Sequence, residues 1–328
     1  METLNEKDTL AYKVGGLLYT PALNTKIADK IIQKKYDCLT SIAFCLEDSI
    51  KDEALPMAEN ELCNTLSKLR DSSSELPLLF VRVRNPEHMK KIHNMIENDK
   101  SILTGYILPK FDLSNCDEYS ALIEEYNSCS KNKLYMMPIL ESSMVADIGG
   151  RVSALYELKE KLIKIKDLVL NVRVGGNDFS NMYGLRRNIN QNIYEIGVIR
   201  DILVNIINVF GTDFVVSGPV WEYFGSDVNE EWKQGLIKEL DLDKLNGLIG
   251  KTAIHPSQIP IIFESLKVNK SDYDDAIKIL GWDLDEYGVG KSSDGSRMNE
   301  VKCHLRWADR IYKLGQVYGI REEKCEFG

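Results

Sequence analysis

At 328 residues, with a formal net charge of -9 and 28% charged residues, the chain is long enough for one large α/β domain or two smaller ones. It has no Lys/Arg block long enough for a duplex-binding stripe, which argues against nucleic acid as a partner, and no apolar run near the ~18 residues of a membrane span. The polar start METLNEKDTLAYK lacks the apolar core of a signal peptide, and the seven scattered cysteines (Cys38, Cys45, Cys63, Cys116, Cys129, Cys303, Cys325) contain no Cys-x-x-Cys pair. A cytoplasmic protein without zinc site, disulfide framework or membrane anchor is expected.

Short apolar runs alternate with amphipathic ones for most of the length. Strands are predicted at GGLLYT (15–20), TSIAFCLE (40–47), PLLFVRV (77–83), GYILPK (105–110), KLYMMPILE (133–141), LVLNVRVG (168–175), DFVVSG (213–218) and LIGKTAI (248–254). Between them lie helix-like segments such as NTKIADKIIQKK, LPMAENELCNTLSKLR, SALIEEYNSC, VSALYELKEKLIK and EIGVIRDILVNIINVF. Strands joined through helices run parallel, and continuous apolar strands need cover on both faces, so eight such units predict an α/β fold, a (β/α)8 TIM barrel. A doubly wound sheet is the alternative, but no Gly-x-Gly-x-x-Gly follows the first strand to support a dinucleotide site. After IHPSQIPIIFESLKV the rhythm changes to a helix from about 270, a Gly/Ser-rich break (YGVGKSSDGSR) and a helix over about 299–318. The expected division is a barrel domain over 1–268 and a C-terminal helical extension over 269–328, serving as a lid or an oligomer arm.

In a barrel of this kind the chemistry sits where strands run out into the following loops. The predicted strand ends deliver Thr20 and Pro21, Glu47 and Asp48, Arg82 and Arg84, Lys110, Glu141, Asn177 and Asp178, Ser217, and His255 to one rim. Acids from three strands converge there. With no His or Cys at the fifth and sixth strand ends, an oxygen-only pair such as Glu141 plus Asp178 favours Mg²⁺ or Mn²⁺ over zinc. Arg82 offers a planar fork for a substrate carboxylate or a developing enolate oxygen, which suits aldol-type cleavage or condensation.

The segments LLYTPALNTKIADKI, IAFCLEDSIKDEA, LFVRVRNPEH, GYILPKFD, MPILESSMVADI, VRVGGNDFSNMYG and GLIGKTAIHPSQIPII, in that order, resemble the HpcH/HpaI aldolase and citrate lyase beta-subunit family over residues 14–268, with a weaker echo to 320. The resemblance implies a Mg²⁺-dependent carbon–carbon lyase on a TIM barrel, a homo-oligomer (trimer or hexamer) acting on a small carboxylate or an acyl thioester. It makes Glu141 and Asp178 the metal ligands, Arg82 the substrate and enolate arginine, and Glu47 and Asp48 an acid pair behind the metal, with Gly176 and Asn177 on the substrate side. Three departures stand out. Cys45 occupies the place of an acid before Glu47, while Pro21-Ala22 replaces Pro-Gly and Gly15-Gly16 replaces a basic residue, which counts against coenzyme A. In GSRMNEV, Glu300 stands where related lyases place an acid supplied to a neighbouring subunit's site. The stretches SGPVWEYFG and MNEVKCHLRWADRIY are similar to a divergent branch of lyase-like barrels found beside tellurium-resistance genes. Two rival functions are a phosphoenolpyruvate- or phosphonopyruvate-handling enzyme on a related barrel and a non-catalytic scaffold subunit.

Overall fold

The computed structural model describes residues 6–130, 132–225, 230–282 and 288–321. Eight parallel strands, β1 (Gly16–Pro21), β2 (Ser41–Cys45), β3 (Leu78–Arg82), β4 (Gly105–Leu108), β5 (Tyr135–Leu140), β6 (Val172–Val174), β7 (Val216–Ser217) and β8 (Lys251–Ala253), pair in the order β7-β6-β5-β4-β3-β2-β1-β8. The remaining seam, β7 against β8, is joined by backbone hydrogen bonds from Gly218 N–H to Gly250 O (2.9 Å) and from Ile249 N–H to Val216 O (2.8 Å). The sheet returns on itself, so the fold is the (β/α)8 TIM barrel and the open doubly wound alternative falls.

The covering helices form for local reasons. In Leu55–Arg70, Leu62, Leu66 and Leu69 repeat on one face and are fully buried, each contributing about 1.5–3 kcal/mol relative to exposure. Pro86 opens the helix Pro86–Met95, where its missing N–H costs nothing, and Asn85 caps it by accepting the His88 N–H at 2.8 Å. The last strands are shorter than their apolar runs. Phe214 N–H still bonds Phe210 O (2.9 Å), prolonging the end of helix Gly197–Phe210 into the run that predicted β7. Residues Lys166–Leu168 form a 3-10 turn, which shortens β6 from its N-terminal side.

Beneath the β7–β8 seam lies a buried ionic network. Lys251 Nζ, with no exposure, reaches Asp243 Oδ2 (2.7 Å), Glu239 Oε1 (3.0 Å) and Pro219 O (2.7 Å). Glu239 also meets Arg187 Nη1 at 3.1 Å, and the Tyr194 hydroxyl donates to Asp243 Oδ1 at 2.6 Å. Burial raises the Asp243 carboxyl above its usual range, and the facing Lys251 opposes that rise.

Two compact units divide the chain, residues 14–262 and, among the described residues, 6–13 with 263–321. In the second unit, helices Lys270–Leu280 and Val301–Tyr318 share a core of Ala276, Ile279 and Ala308. The Gly/Ser-rich break between them is a hairpin, Val289–Lys291 against Met298–Glu300. The N-terminal helix Glu6–Lys13 is tied to this unit through the Tyr318 hydroxyl, which donates to Tyr12 O (2.6 Å), and through Lys313–Asp8 (3.1 Å). Among the described residues no helix is long and apolar enough to cross a membrane. No disulfide joins two of the described cysteines; Cys325 lies outside the described residues.

Candidate active site

The C-terminal ends of β1, β3, β5, β6 and β8 enclose a cleft of about 270 Å³. Its lining includes Tyr19, Asp48, Arg82, Glu141, Arg173, Gly175, Gly176, Asn177, Asp178 and Thr252.

Glu141 follows the last residue of β5 and is almost completely buried. Its Oε1 accepts the Lys110 backbone N–H at 2.9 Å. Lys110 makes this contact from the left-handed region, φ 48°, a conformation disfavoured for any residue with a Cβ. Asn115 Nδ2 holds that turn by donating to Lys110 O at 2.9 Å. Gly175, at the end of β6, has no side chain because a Cβ there would collide with Glu141 Oε2. A Cβ on Gly176 would stand 2.6 Å from Ile193 Cδ1 and 2.7 Å from Pro219 Cβ. The glycine pair therefore lets β6 turn beside Glu141 and present Asp178 to the cleft.

Arg82, the last residue of β3, is buried and divides one nitrogen among three carboxylates. Its Nη2 lies 2.7 Å from Glu47 Oε2, 3.1 Å from Asp48 Oδ2 and 3.5 Å from Glu141 Oε1. Its Nη1 is 3.8 Å from Cys45 Sγ, so the thiol of the departing motif faces this guanidinium. Lys110 Nζ closes the group from outside at 2.7 Å from Glu47 Oε1 and 3.7 Å from Asp48 Oδ1.

The ionisation of the three acids follows from that division. Burial raises the Glu141 carboxyl to about 8; Arg82 pulls the other way, and the charge of Asp178 adds to the rise. Arg82 is itself held above its usual range despite burial, because Tyr19, Glu141 and Glu47 all favour its charged form. Both groups are raised, which favours the neutral acid but the charged guanidinium; the difference arises because Glu141 receives the most distant share of a guanidinium already engaged by Glu47. Glu47 is also raised, by burial more than Arg82 lowers it, whereas half-exposed Asp48 is lowered: its partial burial is outweighed by Glu47, Arg82 and Lys110.

Among the described residues no group of three or more His, Cys, Asp and Glu side chains is spaced to hold an ion. The cleft offers two acids, Glu141 and Asp178, with Gly175 leaving room for the first. An all-oxygen pair of this kind fits a hard divalent cation that keeps most of its positions for water and substrate.

Residues 8–320 match the family described as C-C bond lyase of the TIM-barrel fold. The chain belongs to this family of carbon–carbon bond lyases. No curated protein sequence matches it. Among solved structures the lyase is similar in fold to a citrate lyase from Burkholderia xenovorans (14% identity, TM-score 0.70, 94% of each chain covered). It is similar also to CitE from Mycobacterium tuberculosis in complex with magnesium, acetoacetate and coenzyme A (17% identity, TM-score 0.59, 93% of this chain and 99% of that one). The citrate lyase beta subunit of that organism, complexed with oxaloacetate and magnesium, matches at 16% identity and TM-score 0.51 over 77% of this chain and 98% of its own.

The remaining rim residues of the lyase have structural partners. Arg84 binds Leu46 O (2.8 Å), Ile50 O (2.7 Å) and Asp52, tying down the loop after β2. His255 caps the turn Pro256–Gln258 and stacks on Phe224 at 4.5 Å. Ser217 is buried and donates to Ile249 O (2.8 Å), and Thr20 accepts from Asn24 Nδ2 (3.1 Å). Trp221 and Tyr223 are anchored at Trp232 O (3.1 Å) and Arg187 O (2.7 Å) and do not line the cleft. Gly176 is buried and Asn177 exposed, both on the cleft wall. Glu300 belongs to the second unit, where it precedes helix Val301–Tyr318 and its N–H donates to His304 Nδ1 (2.9 Å).

Strand-end reasoning missed Tyr19, Thr252 and, the one charged group among them, Arg173. It lies inside β6, and its signal in the sequence was a single charge within the apolar run LVLNVRVG.

Proposed function

We propose that this lyase makes or breaks a carbon–carbon bond beside the carbonyl of a small 2-oxo or 2-hydroxy carboxylate, with Mg²⁺ or Mn²⁺ held by Glu141 and Asp178. The observation that carries the reading is the placement of these two acids and Arg82 on one cleft of about 270 Å³. The ion, when bound, supplies Lewis-acid polarisation of the substrate's oxygens. Arg82 directs its positive charge at the oxygen on which enolate charge grows, and the carboxylates of Glu47 and Asp48 fix its orientation. Glu47, raised by burial, takes up the proton through water, and Lys110 holds its carboxylate in place. Gly176 and Asn177 border the substrate.

Support comes from the solved relatives, whose complexes contain magnesium with acetoacetate and coenzyme A or with oxaloacetate. The replacements at Gly15-Gly16 and Ala22 favour a substrate that is not a coenzyme A thioester. Glu300 is assigned to a neighbouring copy's site in a trimer or hexamer. Titration calorimetry with pyruvate tests the reading: the wild type binds it with Mg²⁺ and not without, and Glu141→Ala and Asp178→Ala each remove the metal-dependent binding. Binding indifferent to Mg²⁺ or to both substitutions sinks the assignment.

A further inference from the structure

The two arginines of the cleft differ in one respect that chemistry makes decisive. Arg82 is surrounded by carboxylates. Arg173 is 1% exposed, and its Nη2 donates a hydrogen bond to Thr252 Oγ1 on β8, at 2.7 Å. Its Nε and Nη1 have no hydrogen-bond partner. The Tyr19 hydroxyl, on β1, lies beside the guanidinium and favours its charged form. No described acid forms an ion pair with Arg173, although every other buried arginine or lysine of the barrel, Arg82, Arg151, Arg187 and Lys251, has one.

A guanidinium stays protonated in a protein, and a buried charge without a counter-charge is among the most unfavourable arrangements a fold can contain. Arg173 is also among the residues that line the cleft, with its two unused donors held just behind that surface. Its place within the strand, ahead of Gly175, sets it deeper than the acids beyond the strand end. Thr252 and Tyr19 flank it with hydroxyls, and the rest of that wall, Ile139, Val174, Val220 and Ile254, is apolar.

We propose that Arg173, with Thr252 and Tyr19, is a second anion subsite that receives a carboxylate at the far end of the substrate from the Glu141–Asp178 pair. The substrate is then a dicarboxylate, and Arg173 determines that specificity. A single positive charge flanked by hydroxyls balances one carboxylate. The inference rests on the proposed function, because it takes the metal-side carboxylate as the first anchor.

The test is calorimetry in Mg²⁺ with pyruvate, with the 2-oxo dicarboxylates oxaloacetate, 2-oxoglutarate and 2-oxoadipate, and with phosphoenolpyruvate. The wild type binds at least one dicarboxylate about 10- to 100-fold more tightly than pyruvate, the range expected of a charge-assisted hydrogen-bonded contact. Arg173→Met brings that ratio to about one, while Arg173→Lys, which keeps a cation to fill the site and guards against a folding failure, retains part of it. No dicarboxylate preference in the wild type, a preference unaltered in Arg173→Met, a lysine variant that behaves like the methionine one, or a preference for phosphoenolpyruvate over every dicarboxylate overturns the inference. These outcomes are separable from failure of the proposed function, which shows itself as pyruvate binding that ignores Mg²⁺ or survives Glu141→Ala and Asp178→Ala.

Discussion

The Lys110 backbone N–H reaches Glu141 Oε1 at 2.9 Å from a residue whose φ is 48°, so the loop after β4 spends conformational strain on orienting the central acid of the cleft. Glycine adopts this conformation freely and alanine does not. Lys110→Gly and Lys110→Ala both remove the ammonium group, and their difference isolates the strain. Urea denaturation is expected to show the glycine variant more stable than the alanine variant by about 1 kcal/mol.

The second prediction concerns pH. Glu141 is raised by burial to about 8, from 4.5, so the metal-free fold binds a proton there that the unfolded chain has released. The stability contributed by this group is fully present below pH 4.5 and is lost as pH rises through about 8. A divalent cation has to displace the same proton. Mg²⁺ affinity therefore increases by up to about tenfold per pH unit below about 8 and levels off above it. Calorimetric titrations at several pH values between 6 and 9 check the slope. An affinity independent of pH over that range contradicts the assignment of Glu141 as a protonated ligand.

Much of this was legible in the sequence, and for a physical reason. A barrel buries its strands on both sides and exposes their C-terminal ends, so an apolar run followed by a polar residue marks both a strand and a rim position. That logic located Glu141, Asp178 and Arg82, which the fold does bring to one cleft. It is blind to charges inside strands. Arg173 and Lys251 both sit within β6 and β8, where a mid-strand charge reads as an interruption, and only closure of the barrel shows one facing the cleft and the other facing Glu239 and Asp243. The hairpin after residue 288 escaped for a different reason: its strands are short, exposed and poor in apolar residues, so period-2 patterning is absent.

Gly175 supplies a third prediction. Because a Cβ at this position collides with Glu141 Oε2, Gly175→Ala displaces the carboxylate without altering its chemistry. Mg²⁺ affinity is expected to fall by about tenfold or more, with helical circular dichroism unchanged, since metal sites tolerate little displacement of a ligand. Calorimetry on the folded variant reads this directly.

The buried network at the β7–β8 seam makes a fourth. Lys251→Met removes the cation that faces Glu239 and Asp243 and leaves two buried acids with less compensation. The expected loss of stability is about 3–5 kcal/mol, measured by urea denaturation at neutral pH. Asp243 is already raised by burial, so lower pH, which protonates it, relieves part of the loss in the variant.

The central claim is that Glu141, Asp178 and Arg82 together stabilise an enolate. Proton exchange at the methyl group of pyruvate in D₂O, followed by NMR, measures enolate formation without needing the natural reaction partner. The wild type is expected to catalyse exchange with Mg²⁺, to stop in EDTA, and to lose about 100-fold or more of the rate in Arg82→Met and in Glu141→Ala. Catalysed exchange that persists in EDTA, or that both variants retain at the wild-type rate, would contradict the central claim.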